Sequence, residues 1–366
     1  MRLIFRSSLL VLGGLSAGVL SCSNFILPTS DDLGAVISGR TMDLGWWDSW
    51  ELISIPAGQH PGWDGMGINM TSDPTLSYVG IYPITESKKL GVERAISAGM
   101  NSAGLSIDAQ TLIYTVYPED PKDGSGVLMV TFPEWCLANY RTVAEAKLAL
   151  NEKKITVWGP DALEQHYILR DATGASIVVE FMGGETQVYD DANDGVDTFG
   201  VTTNEPVFPW HIENVKHYEW KQTLARPAVG VPGAFYPDER FLRLHSLKQG
   251  LDTPTTYQEV VQQAVHLLNS VTIPAGEIMG TDSGAGEGAG DHTIFGLVYD
   301  HGAGEAEPAL YWRSYHSQSL QRVRLSDMDT LDKRYLSIAN ELDWYMDVSN
   351  EMTLMPEEQP AKLAAL

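Results

Sequence analysis

The chain has 366 residues, 43% of them apolar, and a formal charge of −24 at pH 7. That length and apolar content support a large folded core. The acidic balance excludes proteins that grip a phosphate backbone through clustered Lys and Arg, and otherwise it speaks to solubility rather than fold.

Arg2 and Arg6 flank the start of an apolar run, "SLLVLGGLSAGVL" at 8–20, and Ser21 leads into Cys22. A basic start, a short apolar stretch and a small residue are the layout of an export signal. The run is too short for an ordinary membrane span, and no later stretch reaches the ~18 apolar residues a span requires. Residues 1–21 are therefore expected to be a signal peptide, and the protein to be periplasmic or secreted. Three chemistries fit a cysteine at the cut. Val19-Leu20-Ser21-Cys22 resembles a lipobox, whose cysteine sulfur carries a lipid. Export also permits a disulfide with Cys136, the other cysteine. Finally, a cysteine freed as first residue holds a thiol beside an α-amine. That amine has a pKa of ~7.7–8.0 and can take the thiol proton near neutral pH, as N-terminal threonine amines do. Cys136, in "PEWCLANY", reads as a small buried apolar residue.

Downstream, "SNFILPT" and "GAVISGRTM" read as strands joined by a loop at 30–34, and "ERAISAGM" and "GLSIDAQTLIY" as a second pair around Asn101-Ser102-Ala103-Gly104. Pro133 suits the first turn of a helix. Thr142 with Glu145, and Thr256 with Glu259, have capping-box spacing at two more helix starts. Between them "EQHYILRD", "ASIVVEFM" and "ETQVYD" form a three-strand meander. "HIENVKHYEWKQTLA" and "DERFLRLHSLKQ" are further helices, and "HTIFGLVYD" and "PALYWRSYH" return to strand character. Antiparallel pairs, then helices, then strands predict an α+β layered fold rather than a parallel sheet. One domain over 22–350 is expected, with 351–366 a weakly ordered tail.

Several motifs lead nowhere. "GTDSGAGEGAGD" at 280–291 lacks the Gly-Lys-Ser/Thr ending of a phosphate loop and carries acids that repel phosphate. It reads as a surface loop. No H-E-x-x-H or cysteine pair supports a metal site, and His211 and His217 do not share a helix face. The G-x-S-x-G elbow is absent.

The residues after Cys22 favour the nucleophile reading. "CSNFILPTSDDLGAVISGRTMDLG", with its Arg40-Thr41-Met42-Asp43 element, resembles the start of the choloylglycine hydrolase and penicillin V acylase family of N-terminal-nucleophile hydrolases. "SAGMNSAGLSIDAQTL", "FGVTTNEPVFPWH", "VPGAFYPDERFLRL", "LNSVTIPAGEI" and "DHTIF" are similar to later family stretches, in the same order, over about residues 22–326. The resemblance implies a four-layer αββα sandwich with two antiparallel sheets, and an enzyme that cleaves linear amide C–N bonds of N-acyl compounds without a metal or organic cofactor. It implies Cys22 as nucleophile and, through its amine, base. Asp43 would orient the amine, Arg40 would favour the thiolate, Asn204 would donate to the oxyanion, and Arg240 would complete the polar network. Counting from Asn101, Thr111 stands where the family's second oxyanion contributor is usually Tyr in penicillin acylases or Asn in bile-salt hydrolases. A backbone N–H donor survives that change. Trp46, Trp47 and Trp50 line an acyl pocket on one reading and pack as core or surface on another. The implied partner is a small N-acyl amide, and dimers or tetramers are common in the family. A non-catalytic lipoprotein binding apolar ligands is the alternative.

Overall fold

The computed structural model describes residues 22–29, 33–44, 49–59, 75–160, 163–192, 200–224, 230–278, 290–302, 307–328 and 332–339. Residues 1–21, where a signal peptide is expected, Trp46, Trp47, most of the glycine-rich stretch and the expected tail at 351–366 lie outside them.

The chain begins with β1 (Cys22–Ile26), β2 (Ile37–Leu44), β3 (Trp50–Ile55), β4 (Tyr78–Pro83) and α1 (Ile84–Lys89). Next come β5 (Ala98–Asn101), β6 (Ser106–Thr111), β7 (Gly126–Leu128), α2 (Phe132–Asn139) and α3 (Val143–Asn151). After β8 (Thr156–Trp158) comes the three-strand meander of β9 (Gln165–Arg170), β10 (Ser176–Met182) and β11 (Glu185–Tyr189), and then β12 (Val201–Thr202). Three helices come together: α4 (Phe208–Leu224), α5 (Pro237–Gln249) and α6 (Tyr257–Val271). The last described elements are β13 (His292–Asp300), β14 (Ala309–Ser314), β15 (Gln321–Arg324), α7 (Leu325–Met328) and β16 (Arg334–Ser337).

Two antiparallel sheets result. One has the order β12-β1-β2-β13-β14-β15, the other β11-β10-β9-β6-β5-β4-β3-β16. β7 and β8 make a separate parallel pair, which the strand patterns do not anticipate. The interior between the sheets is built from Met42, Leu52, Val79, Met100, Leu297 and Trp312. Trp135, Leu137, Ala146 and Leu150 of α2 and α3 cover the outer face of the larger sheet. Phe208, Phe241, Val260 and Leu267 of α4–α6 cover the smaller sheet. The layers are thus helix, sheet, sheet, helix, as expected.

Local chemistry explains the element ends. Thr142 Oγ1 accepts from Glu145 N–H, and Thr256 Oγ1 from Glu259 N–H. Each Glu carboxylate reaches back one residue before the cap, to Arg141 N–H and Thr255 N–H. The turn at Asn101–Gly104 needs its glycine. Gly104 has φ +84, and a Cβ there would sit 2.0 Å from His301 O. Asn101 pins this turn: its Oδ1 accepts from Ala103 and Leu105 N–H, and its Nδ2 donates to the Leu137 and Tyr140 carbonyls at the end of α2. Cys136 is fully buried, and neither cysteine is in a disulfide. Trp50 is buried core, edge-to-face with Phe295 at 5.2 Å, so of its two readings packing holds. Among the described residues no helix is long and apolar enough to cross a membrane.

Candidate active site

Cys22 opens β1 and pairs with Met42, while Asn24 pairs with Arg40. Directly paired residues share a face, and neighbours alternate. Cys22, Asn24, Arg40 and Met42 therefore face the interior between the sheets, and Ser23, Thr41 and Asp43 face the helices. The three-residue gap between Arg40 and Asp43 is odd, so the two lie on opposite faces of β2. Cys22, at the strand end, is reached from both.

On the inner face, Arg40 Nη2 lies 3.6 Å from Cys22 Sγ, which is also 3.8 Å from Met42 Sδ. The guanidinium is fully buried and fixed by Asp108 at 3.2 Å and the Ser97 carbonyl at 2.8 Å. Asp108 in turn accepts from Asn24 Nδ2 and Tyr299 Oη, both at 2.6 Å. A charge-assisted pair of this kind orders the arginine beside the sulfur. Burial raises the Cys22 thiol above its ordinary value, and Arg40 opposes it.

On the helix face, Arg240 in the first turn of α5 is wholly buried rather than on a solvated face. Its Nη1 donates to the Cys22 carbonyl at 2.7 Å and to Ser23 Oγ at 2.5 Å, its Nη2 to Asn204 Oδ1 at 3.0 Å, and its Nε to the Phe235 carbonyl at 2.9 Å. Asn204 follows β12, and its Oδ1 accepts the Cys22 N–H at 2.6 Å. Its Nδ2 donates to the Thr111 carbonyl at 2.9 Å. All six expected site residues are thus gathered from three strands, β1, β2 and β6, the turn after β12 and helix α5.

One expected contact differs. The Cys22 nitrogen lies on Asn204 Oδ1, not on Asp43. The Asp43 carboxylate instead accepts from the Thr41 hydroxyl at 2.9 Å and from the Thr293 hydroxyl. A bulge between Thr293 and Phe295 brings Thr293 opposite Asp43. Burial raises Asp43 to about 6, against the pull of Arg240, the two hydroxyls and Arg40.

The sequence reading places Asp291 at the end of a surface loop, and the structure corrects it there. It is buried, and its Oδ2 has no hydrogen-bond partner among the described residues. Burial and Asp43 push it to about 7, with Arg240 opposing. A carboxyl raised in the fold adds stability that is full below pH ~4 and lost as pH rises through the folded value. Asp291→Asn is therefore expected to be more stable than the parent by about 1–2 kcal/mol at pH 8, with no gain at pH 4. Urea midpoints at the two pH values measure this, and an equal difference at both would refute it. A cavity of about 360 Å³ lies at the other end of β1, by Ile26, Gly200 and Lys248. It shares no residue with the site.

A family profile described as linear amide C–N hydrolases, choloylglycine hydrolase family, matches residues 22–339. The chain belongs to this family. Its match begins at Cys22, the residue on which the geometry converges. A bile salt hydrolase/transferase of Clostridium perfringens is 26% identical over 279 residues, covering 70% of this chain and 80% of that one. An uncharacterized protein of Paramecium bursaria Chlorella virus 1 is 30% identical over 168 residues, covering 43% of this chain. The chain spans 57% of the viral protein's length. The solved structure of penicillin V acylase from Agrobacterium tumefaciens aligns with a TM-score of 0.67 at 21% identity, covering 86% of this chain and 91% of that one. That likeness shows the fold.

Proposed function

We propose that the family's amide hydrolysis runs here through Cys22 as an N-terminal nucleophile, after export and cleavage of the Ser21–Cys22 bond. In the unprocessed chain the Cys22 nitrogen is a peptide nitrogen and cannot act as a base. Cleavage makes it an amine, which takes the thiol proton. The thiolate attacks the amide carbonyl, and Asn204 Nδ2 with the Thr111 backbone N–H meets the oxyanion. The tetrahedral adduct collapses, the C–N bond breaks, and the amine leaves with the proton. Water then attacks the thioester, gives a proton to the α-amine and releases the acid.

The observation that carries this reading is the setting of Cys22. Its sulfur lies beside a fixed guanidinium, and its nitrogen lies on Asn204. Burial of that sulfur also counts against the lipoprotein alternative, because a diacylglyceryl group there would force the sheets apart. The substrate class we favour is N-acyl amides with a bulky apolar acyl group, since Thr111 carries neither the Tyr nor the Asn side chain. Conjugated bile acids, phenoxyacetyl penicillins, acyl-homoserine lactones and N-acyl amino acids are the panel to test. The protein would act as a periplasmic or secreted enzyme, alone or as a dimer or tetramer.

The intact mass of the exported protein should correspond to a chain starting at an unmodified Cys22. Brief incubation with a turned-over substrate, then acid quench, should add one acyl group to that chain. A lipid adduct on Cys22, or an acyl group on another residue, would sink the proposal.

A further inference from the structure

Asn204 lies beyond the end of β12, where its main chain has left the sheet. Its backbone carbonyl is met by one side chain, His211 Nε2, at 3.2 Å. A carbonyl only accepts, so the imidazole carries its proton on Nε2. His211 sits in the first turn of α4 and is buried, with Nδ1 partnerless among the described residues. Its ring stacks on Phe241 with centroids 4.5 Å apart and planes within 5°. Phe241 adjoins Arg240 on α5, and Arg240 holds the Asn204 side chain. Two consecutive residues of one helix thus fix both ends of Asn204, one directly and one through the imidazole plate. The turn is tied once more where Phe208 N–H donates to Glu180 Oε1 at 2.8 Å.

We propose that His211 is a positioning residue: as a neutral donor clamped on Phe241, it fixes the main chain of Asn204 so that the Asn204 amide meets the oxyanion. This rests on the oxyanion role of Asn204 given above. Neutrality follows from the surroundings. Burial, with His166 and Arg240 nearby, lowers His211 to about 3, so it does not titrate in the working range. The residue donates a fixed hydrogen bond and moves no proton. Misplacement of a reacting group by about 1 Å can cost ~10²-fold in rate.

The test is steady-state kinetics of the processed enzyme on its best N-acyl amide substrate. His211→Leu should lower kcat about 10–100-fold with KM changed less than about threefold. His211→Gln, which keeps a neutral donor, should recover most of that loss. The rate at which iodoacetamide alkylates Cys22 should fall much less than kcat, because Arg40 still lies beside the thiol, and only the Asn204 contact to the Cys22 nitrogen is disturbed. If His211→Leu does not fold, Phe241→Leu, which removes the plate and keeps the imidazole, must also lower kcat with KM little changed, by a smaller factor. The proposal is overturned if His211→Leu keeps its kcat, if the Gln variant is no better than Leu, or if alkylation falls in step with kcat. Activity that survives Cys22→Ser would instead overturn the catalytic reading.

Discussion

Cys22→Ser in the processed protein is expected to lower kcat/KM on N-acyl amides at least about 10³-fold. The substitution exchanges sulfur for oxygen and leaves the α-amine in place. In free groups the amine's pKa lies within about one unit of the thiol's ~8.5, and Arg40 opposes the rise that burial imposes on Cys22, so the amine can deprotonate sulfur. A serine hydroxyl is far more basic once deprotonated, and the same amine cannot generate its alkoxide in useful amount. Arg40, 3.6 Å from Sγ and locked by Asp108, is spaced for a sulfur anion. The shorter C–O bond draws the nucleophile away from that charge. Serine is close to cysteine in size, and Arg40 Nη2 beside this side chain offers its hydroxyl a donor, so the variant should fold, and unfolding midpoints should differ little. Release of the amine product gives the rate. A variant within tenfold of the parent would show that another group attacks the substrate.

The local half of this site is legible in the sequence, and the assembly is not. Alternating runs around a turn give β1 and β2, so Arg40 and Asp43 return near Cys22. Counting parity along β2 also predicts that they take opposite faces, although resemblance alone assigns both simply to the nucleophile. Asn204 shows the limit. Its contacts to Cys22, Thr111 and Arg240 join positions 182, 93 and 36 residues apart, and no periodic pattern encodes such pairs. Asp108 had a visible hint: Ser106, Asp108 and Gln110 alternate with Ile107 and Ala109, a polar face on a strand that is buried on both sides. Buried polar faces demand partners, but which partner depends on sheet order. β3 escapes the reading because it lies beside glycine- and proline-rich sequence at 56–67, β4 because Gly80 and Pro83 interrupt its apolar run, and β16, exposed throughout, pairs with β3 from about 280 residues away. Thr111 is found by counting, and its carbonyl contact with Asn204 requires the two sheets to meet.

Arg240→Met is expected to destabilise the fold by about 3–5 kcal/mol at pH 8 and by less at pH 5. The guanidinium serves four acceptors, the Phe235 and Cys22 carbonyls, Ser23 Oγ and Asn204 Oδ1. Methionine fills much of the volume but takes a donor from each of those oxygens, and only Asn204 Oδ1 keeps another described one, the Cys22 N–H. It also removes the positive charge that holds down Asp43 and Asp291, raised to about 6 and about 7. The sign follows from linkage. Both carboxyls bind their protons more tightly in the fold than in the unfolded chain, so each already costs stability as pH rises from about 4 through its folded value. Without Arg240 those values climb further, and the cost at pH 8 grows. At pH 5 both groups are largely protonated in the fold, so the charge contribution falls away and the lost hydrogen bonds remain. Urea unfolding at both pH values separates the two parts, and an equal loss at each would mean that the carboxylates do not depend on Arg240. Arg240→Lys makes the complementary case. Lysine keeps a charge but cannot span Cys22 and Asn204 at once, so it should narrow the pH dependence of stability while leaving Asn204, and with it turnover, unsupported.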